Sequence, residues 1–524
     1  MITVSQWRTS VALVVLVLPW LLLAGYIGAQ LLQQPQLLFS WLNYPGLSTM
    51  VSQSILIAVA IMLIAWLVIL SVQPSTAGGC RLLQLIALPH LALAIGLLWL
   101  LAPYGWLWRL LPESWQLQFF DRQQLVSFVV ILALKEIPFL WLMSQRALAQ
   151  MPWQRWLLSG QSLGYSRQRS WWLLVMPELL RRMRLPLMIV VVYSLSVVDV
   201  ALLAAPQTPA PLAVQVLQWQ LDAEPTSQLF ASYGAITLLL LAALAGLLIL
   251  ALEKLTIWQL LPRLKGTTVR LPVATLISLI GLLAALAIVA QSAALGWFYP
   301  QLLPSSWSLA RWQQELPQLL QLFAHSAGLA MLVASISLIW VVVLLEWQRR
   351  GRISALMMWL LLPLLVPQLT LLLGWQQVFA LLTSGAGGWH YGMALVAAQI
   401  PFSAAYVALI LAPAVRRFEQ RYVTTLQSYG YGFWRSWWLA KRPLIKQPLL
   451  LAWVFAGLVS MAQYLPIVLM GGGRWPTLTS ELVAISSGAN NQLIAIYAVS
   501  QWLLALCFVV LLAWPQRITE GEQR

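Results

Sequence analysis

The sequence predicts an all-α polytopic membrane protein of about twelve transmembrane helices, arranged as two six-helix repeats that run parallel to one another. Three observations carry that expectation. Only 8% of the residues are charged and 61% are hydrophobic, whereas soluble globular chains carry roughly 25% charge. Uncharged stretches long enough for the roughly 20 residues that cross a bilayer core recur along the chain, as at 10–32 and 49–72. The string Arg-Ser-Trp-Trp-Leu occurs twice, at 169–173 and 435–439, 266 residues apart.

Apolar windows and their polar interruptions place spans starting near 10, 49, 82, 125, 186, 229, 271, 319, 353, 392, 447 and 491. The first follows a short head containing Arg8. It exceeds the apolar core of a signal peptide and has no small-residue cleavage site, so it is expected to be retained. The third begins just after Arg81 and leads into PYGWLWRLLPESWQLQFF (103–120), an aromatic belt of the kind that collects at a membrane interface. The fourth is interrupted by Lys135 and Glu136 and carries Pro138. Its counterpart, the tenth, carries Pro401, and each proline is expected to kink its helix. Asp199 lies in the fifth span and Gln463 in the eleventh. Each of these spans is followed by a turn-rich segment, PQTPAP (206–211) and GGGRWP (471–476).

Of the 30 Lys and Arg residues, 25 fall in alternate segments: Arg8, Arg81, the stretches 146–184, 254–270, 349–352 and 416–446, and the C-terminus. The other segments hold only Arg109, Arg122, Arg311 and Arg474. The positive-inside rule then puts both termini and the basic loops in the cytoplasm. The net charge of +16 is accounted for by topology and contact with anionic membrane lipid, so no nucleic-acid partner is expected. Cys80 and Cys507 indicate no disulfide framework, and His90, His325 and His390 are too scattered for a metal site, so neither metal nor cofactor is expected. No convergent set of His, Cys or carboxylate residues suggests a membrane-embedded enzyme.

Sliding the chain by 266 aligns SLGYSRQRSWWLLVMP (162–177) with SYGYGFWRSWWLAKRP (428–443), pairing Gly164 with Gly430, Tyr165 with Tyr431, Arg169 with Arg435 and Pro177 with Pro443. In both copies the proline follows the glycine by 13 positions, in a basic loop after a unit's fourth span. This pattern resembles the EAA loop of ABC-importer permeases: Glu-Ala-Ala, three residues, Gly, nine residues, Ile, one residue, Leu-Pro. The Glu-Ala-Ala positions hold Leu158-Ser159-Gly160 and Thr424-Thr425-Leu426, and the Ile and Leu positions hold Leu174 and Met176, then Ala440 and Arg442. The stretches 184–219 and 460–492 further resemble the YnjC group of fused permeases, similar to the thiamine and ferric-iron permeases of the binding-protein-dependent transport family.

The resemblance implies the type I ABC-importer permease fold, with residues 1–265 and 266–524 as its two repeats and EAA-like loops at about 146–185 and 416–446. It implies a homodimeric ATPase, two copies, docked on Gly164, Tyr165, Arg169, Pro177, Gly430, Tyr431, Arg435 and Pro443. A short surface helix after each glycine would fit a groove in the ATPase, with the indoles at the membrane interface. It also implies a periplasmic substrate-binding protein and an inner-membrane location. ATP hydrolysis would lie elsewhere, and the chain contains no GxxxxGK[ST]. In this architecture the fifth spans flank the pathway, which makes Asp199 and Gln463 lining candidates together with Glu136. Gly471, Gly472, Gly473 and Arg474 would form the outer gate, and Arg474 and Glu481 would contact the binding protein.

Two readings stay open for the charged pair in the fourth span. Adjacent residues lie about 100° apart on a helix, so either one of them faces the pathway or both tie helices together. Asp199 could likewise only accept hydrogen bonds from Ser194 or Ser196. A rival mechanism is a major-facilitator-like secondary transporter, which shares the parallel 6+6 plan. Against it, the loop after the second span, SVQPSTAGGCRLL, lacks that family's signature, and the basic bulk follows the fourth span.

Overall fold

The computed structural model describes residues 34–73, 89–110, 124–263, 273–347, 353–382 and 389–521, apart from Tyr104 and Ala489, with a few positions between 21 and 28. The first expected span, Arg8, Cys80, Arg81, Arg122, most of the aromatic belt and the arginines at 349–352 lie outside the described residues.

The chain is an all-α polytopic membrane protein. Its helices in the first half are α1 (Pro35–Leu42), α2 (Leu47–Ser71), α3 (His90–Leu101), α4 (Leu125–Ala149), α5 (Trp153–Ser162), α6 (Arg167–Ser170), α7 (Met176–Ser196), α8 (Asp199–Ala204), α9 (Leu212–Leu221) and α10 (Pro225–Leu255). The second half continues with α11 (Val273–Ala293), α12 (Ala310–Trp347), α13 (Ile353–Leu361), α14 (Gln368–Leu382), α15 (Trp389–Arg417), α16 (Arg421–Ser428), α17 (Phe433–Ser436), α18 (Arg442–Leu444), α19 (Lys446–Ala462), α20 (Tyr464–Gly471), α21 (Leu478–Ser486) and α22 (Asn491–Gly521). A two-residue hairpin, β1 (Ala294–Leu295) against β2 (Ser306–Trp307), joins α11 to α12.

Among the described residues six helices are long and apolar enough to cross a membrane, or up to eight when two bent pairs are each taken as one span. The other expected spans are short, broken or begin outside the described residues. Only His90–Leu101 of the third is described, and the ninth bends by 104° between Met357–Leu364 and Gln368–Leu381. Both the fifth and eleventh are interrupted, at Val197–Val198 and at Gln463. Starts also shift: the helix expected near 186 begins at Met176, and that expected near 319 begins at Ala310. Hydropathy registers only the lipid-facing length of a helix, whereas these two continue into polar, arginine-bearing turns. Pro138 and Pro401 do not break their helices, which run through them. Packed neighbours can re-satisfy the carbonyl that a proline frees in a membrane helix.

Element starts recur at the offset of the repeated pentapeptide. α6 and α17 begin at Arg167 and Phe433, a π-helical turn follows each at Trp171–Val175 and Trp437–Lys441, α9 and α21 begin at Leu212 and Leu478, and α10 and α22 at Pro225 and Asn491. Packing recurs too. Helices α2, α4 and α7 pack on one another, as do α12, α15 and α19. In each set a serine on the first helix receives the leading amide of a later one: the Leu212 N–H donates to Ser54 Oγ at 3.1 Å, and the Leu478 N–H to Ser326 Oγ at 2.9 Å. Lipid supplies no hydrophobic drive between helices, so close packing and such bonds hold the bundle. The two halves of the chain meet where α3 crosses α11 and α10 crosses α14.

Candidate functional site

The repeated loops fold into two matching elbows. Helix α5 ends in a Schellman turn: the Gly164 N–H donates to the Gln161 carbonyl at 3.0 Å and the Tyr165 N–H to the Gly160 carbonyl at 3.1 Å. In the second copy Gly430 donates to Gln427 at 3.0 Å and Tyr431 to Leu426 at 3.2 Å. Both glycines are left-handed, with φ of 84° and 87°, the conformation this cap demands. Arg169 then stacks over the Tyr165 ring at 5.4 Å, and Arg435 over Tyr431 at 5.1 Å. Pro177 and Pro443 are the second residues of α7 and α18, directly after the π turns.

Short helices stand largely exposed on both sides of each glycine: α5 and α16 precede it, and α6 and α17, four residues each, follow it. After Gly164 the chain runs through α6 and the π turn into α7 without a break. After Gly430 the segment Phe433–Leu444 meets Lys446–Ala462 at 85°. Of the four indoles in the two pentapeptides, Trp171, Trp172 and Trp437 are buried within the protein and Trp438 is exposed.

Glu136, Asp199 and Gln463 come together: all three line one cavity of about 280 Å³ between the two sets of helices. Lys135 lines it as well, with His90, Tyr193, Gln368 and Tyr406. The two adjacent charges therefore share one compartment, against the expectation drawn from helix geometry. The long lysine side chain folds back so that its Nζ lies 3.2 Å from Glu136 Oε1 and 3.6 Å from the centroid of the Tyr193 ring on α7. Asp199 is buried at the first position of α8, where the fifth span is interrupted. Ser194 and Ser196 do not serve it, since their hydroxyls donate to the Val191 and Val192 carbonyls. Gln463 occupies the equivalent break between α19 and α20. Its amide contacts the Gln399 carbonyl and Ser403 Oγ, each at 3.4 Å, and its oxygen accepts from Gln368 at 3.3 Å.

At the far end of α20 the glycine run turns the chain. Gly472 and Gly473 are left-handed, with φ of 55° and 71°, and the Arg474 N–H returns to the Gly471 carbonyl. The guanidinium of Arg474 lies 4.1 Å from the centroid of the Tyr391 ring. Beside it, a Cβ added at Gly392 would stand 3.0 Å from the Trp475 indole. Thr477 caps α21 through a reciprocal pair with Ser480, and Glu481 follows half-buried in the first turn. In the equivalent segment of the first half, Gln207 Nε2 donates to the carbonyls of Ala201 and Ala205.

No protein-family model matches the chain, and no solved structure matches it. It is 31% identical over 493 residues to the inner membrane ABC transporter permease protein YnjC of Escherichia coli (strain K12), an alignment that covers 91% of this chain and 89% of that protein. With that identity over nearly the full length of both, and with its long apolar helices, the chain belongs to the YnjC group of inner membrane ABC transporter permeases.

Proposed function

We propose that this chain is the translocation subunit of a bacterial ABC importer. It is built as two parallel six-span repeats, residues 1–265 and 266–524, with both termini in the cytoplasm. The two elbows, within 146–185 and 416–446, each dock one copy of a separate homodimeric ATPase, which carries out the hydrolysis. The observation that supports this most is the duplication of one surface geometry: a left-handed glycine after an exposed amphipathic helix, and an arginine stacked on the tyrosine that follows the glycine. A symmetric partner needs two like docking surfaces. The departures from the Glu-Ala-Ala pattern leave the tyrosine–arginine stacks and the exposed faces of α5 and α16 to carry the contact.

The cavity between the repeats is the pathway in this reading, with Glu136, Asp199 and Gln463 lining it and a substrate-binding protein delivering from the periplasmic side. Gly471, Gly472, Gly473 and Arg474 close its outer end, with Arg474 and Glu481 meeting the binding protein. The substrate class within the wider family, thiamine, ferric iron or an oxyanion, is set by that protein and not by this chain. The test is purification of the tagged chain from its native membrane in mild detergent, with mass spectrometry of what accompanies it. A P-loop ATPase at two copies per chain is expected. The chain alone, with uptake driven by a proton or sodium gradient, would sink the reading in favour of a secondary transporter.

A further inference from the structure

The second elbow contains a buried ionic cluster. Lys441, the last residue of the π turn after the pentapeptide, is 1% exposed, and its Nζ stands 2.6 Å from Glu346 Oε1. The indole N–H of Trp437 donates to the same oxygen at 3.0 Å. The Phe418 ring, just beyond α15, lies 5.0 Å from the Lys441 ammonium. An ion pair taken out of water gains little over an apolar contact of the same size, so its value lies in the geometry it imposes. Here two donors on one face of the elbow converge on one carboxylate oxygen, which fixes the elbow on the end of α12.

Helix α12 leads directly to the other side of the protein. Twenty residues before Glu346, about 30 Å at 1.5 Å per residue, Ser326 Oγ accepts the leading amide of α21, and His325 packs edge-on against Trp475. Trp453 of α19 donates to Ser335 on the same helix. The first elbow has a different tie, since Val175 stands where Lys441 does and Arg184 of α7 pairs with Glu253 of α10.

We propose that Glu346, Trp437 and Lys441 form a latch by which the second elbow moves α12 as a rod, so that a displacement imposed at the elbow shifts the GGGRWP segment and α21. They are positioning residues for coupling, and the inference rests on the elbow being the ATPase docking site. The test uses the full chain with its ATPase and ATP plus vanadate as the probe. Nitroxide labels at Ala223→Cys and Ser487→Cys, in a Cys80→Ser and Cys507→Ser background, report the distance between the outer loops of the two halves.

Vanadate trapping is expected to shift that distance in the otherwise unaltered protein. Lys441→Met and Glu346→Gln should each retain ATP hydrolysis and lose the shift, while the exchanged pair Glu346→Lys with Lys441→Glu recovers it. The latch is overturned if the shift persists in both single variants, is absent from an unaltered complex that binds the ATPase, or is not recovered on exchange. Failure of the unaltered chain to bind any ATPase is a distinct result that overturns the docking reading and the latch with it. Lys441→Arg, which keeps the charge, separates loss of the ion pair from loss of folding.

Discussion

Gly164 and Gly430 were legible in the sequence because two copies of one pattern pointed at them, and the structure adds why glycine stands there. A Cβ at either position would meet nothing within 4 Å, so the penalty of substitution is purely that of a left-handed L-residue, about 1–2 kcal/mol. Gly164→Ala and Gly430→Ala should each lower stability by about 1 kcal/mol in detergent melts, with Asn milder. The double change Gly164→Trp with Gly430→Trp should insert normally yet fail to retain the ATPase in a pull-down, and retention would remove the elbows from the docking surface. Asp199, Glu136 and Gln463 were legible for another reason: polar groups in apolar runs are expensive unless they face protein or water. The pairing of Lys135 with Glu136 was not, because it depends on a flexible stem folding back, and Tyr193 and Tyr406 are undistinguished among 14 tyrosines. Replacing Asp199 by Asn removes a carboxyl group from the compartment that holds Lys135. Uptake of the binding protein's ligand should fall while the ATPase still co-purifies, and unchanged uptake would remove Asp199 from the pathway.

Among the elements, periodicity and composition marked where apolar helices lie but not where they end. Arg181, Arg182 and Arg184 suggested a loop, yet they ride within α7, where Glu178 pairs with Arg182 one turn on at 2.9 Å and Arg184 reaches Glu253. Nor could hydropathy see that Val197–Val198 and Gln463 interrupt their helices, since both stretches remain apolar. The paired serines test whether the recurring elements are held alike. Ser54→Ala and Ser326→Ala each leave one buried helix-leading amide unpaired, and each should cost about 1–3 kcal/mol in a thermal melt. The two sites lie on separate helices without shared partners, so the double variant should show the sum. A large loss at one site and none at the other would show that the second copy is supported differently from the first.

For the molecule as a whole, the interface between the halves decides whether two parallel repeats describe it. At the crossing of α3 and α11 a Cβ on Gly96 would stand 2.7 Å from the Ala284 carbonyl and 3.0 Å from the Ala284 side chain. Such contact is possible only between helices that meet backbone to backbone, the small-residue packing that substitutes for hydrophobic drive in lipid. Where α14 crosses α10, Thr370 donates to the Ala235 carbonyl at 2.9 Å. The contact surfaces are therefore contributed by elements from both sides of residue 265, and neither depends on the chain being continuous there. Residues 1–265 and 266–524 produced as separate chains should consequently reassemble in the membrane and co-purify. Gly96→Leu should prevent that reassembly, because backbone, and not a side chain that can turn away, blocks the added methylene. The same substitution at Gly328, around which a Cβ meets nothing within 4 Å, should leave it intact. Halves that fail to associate even without substitution would show that the repeats depend on their covalent connection.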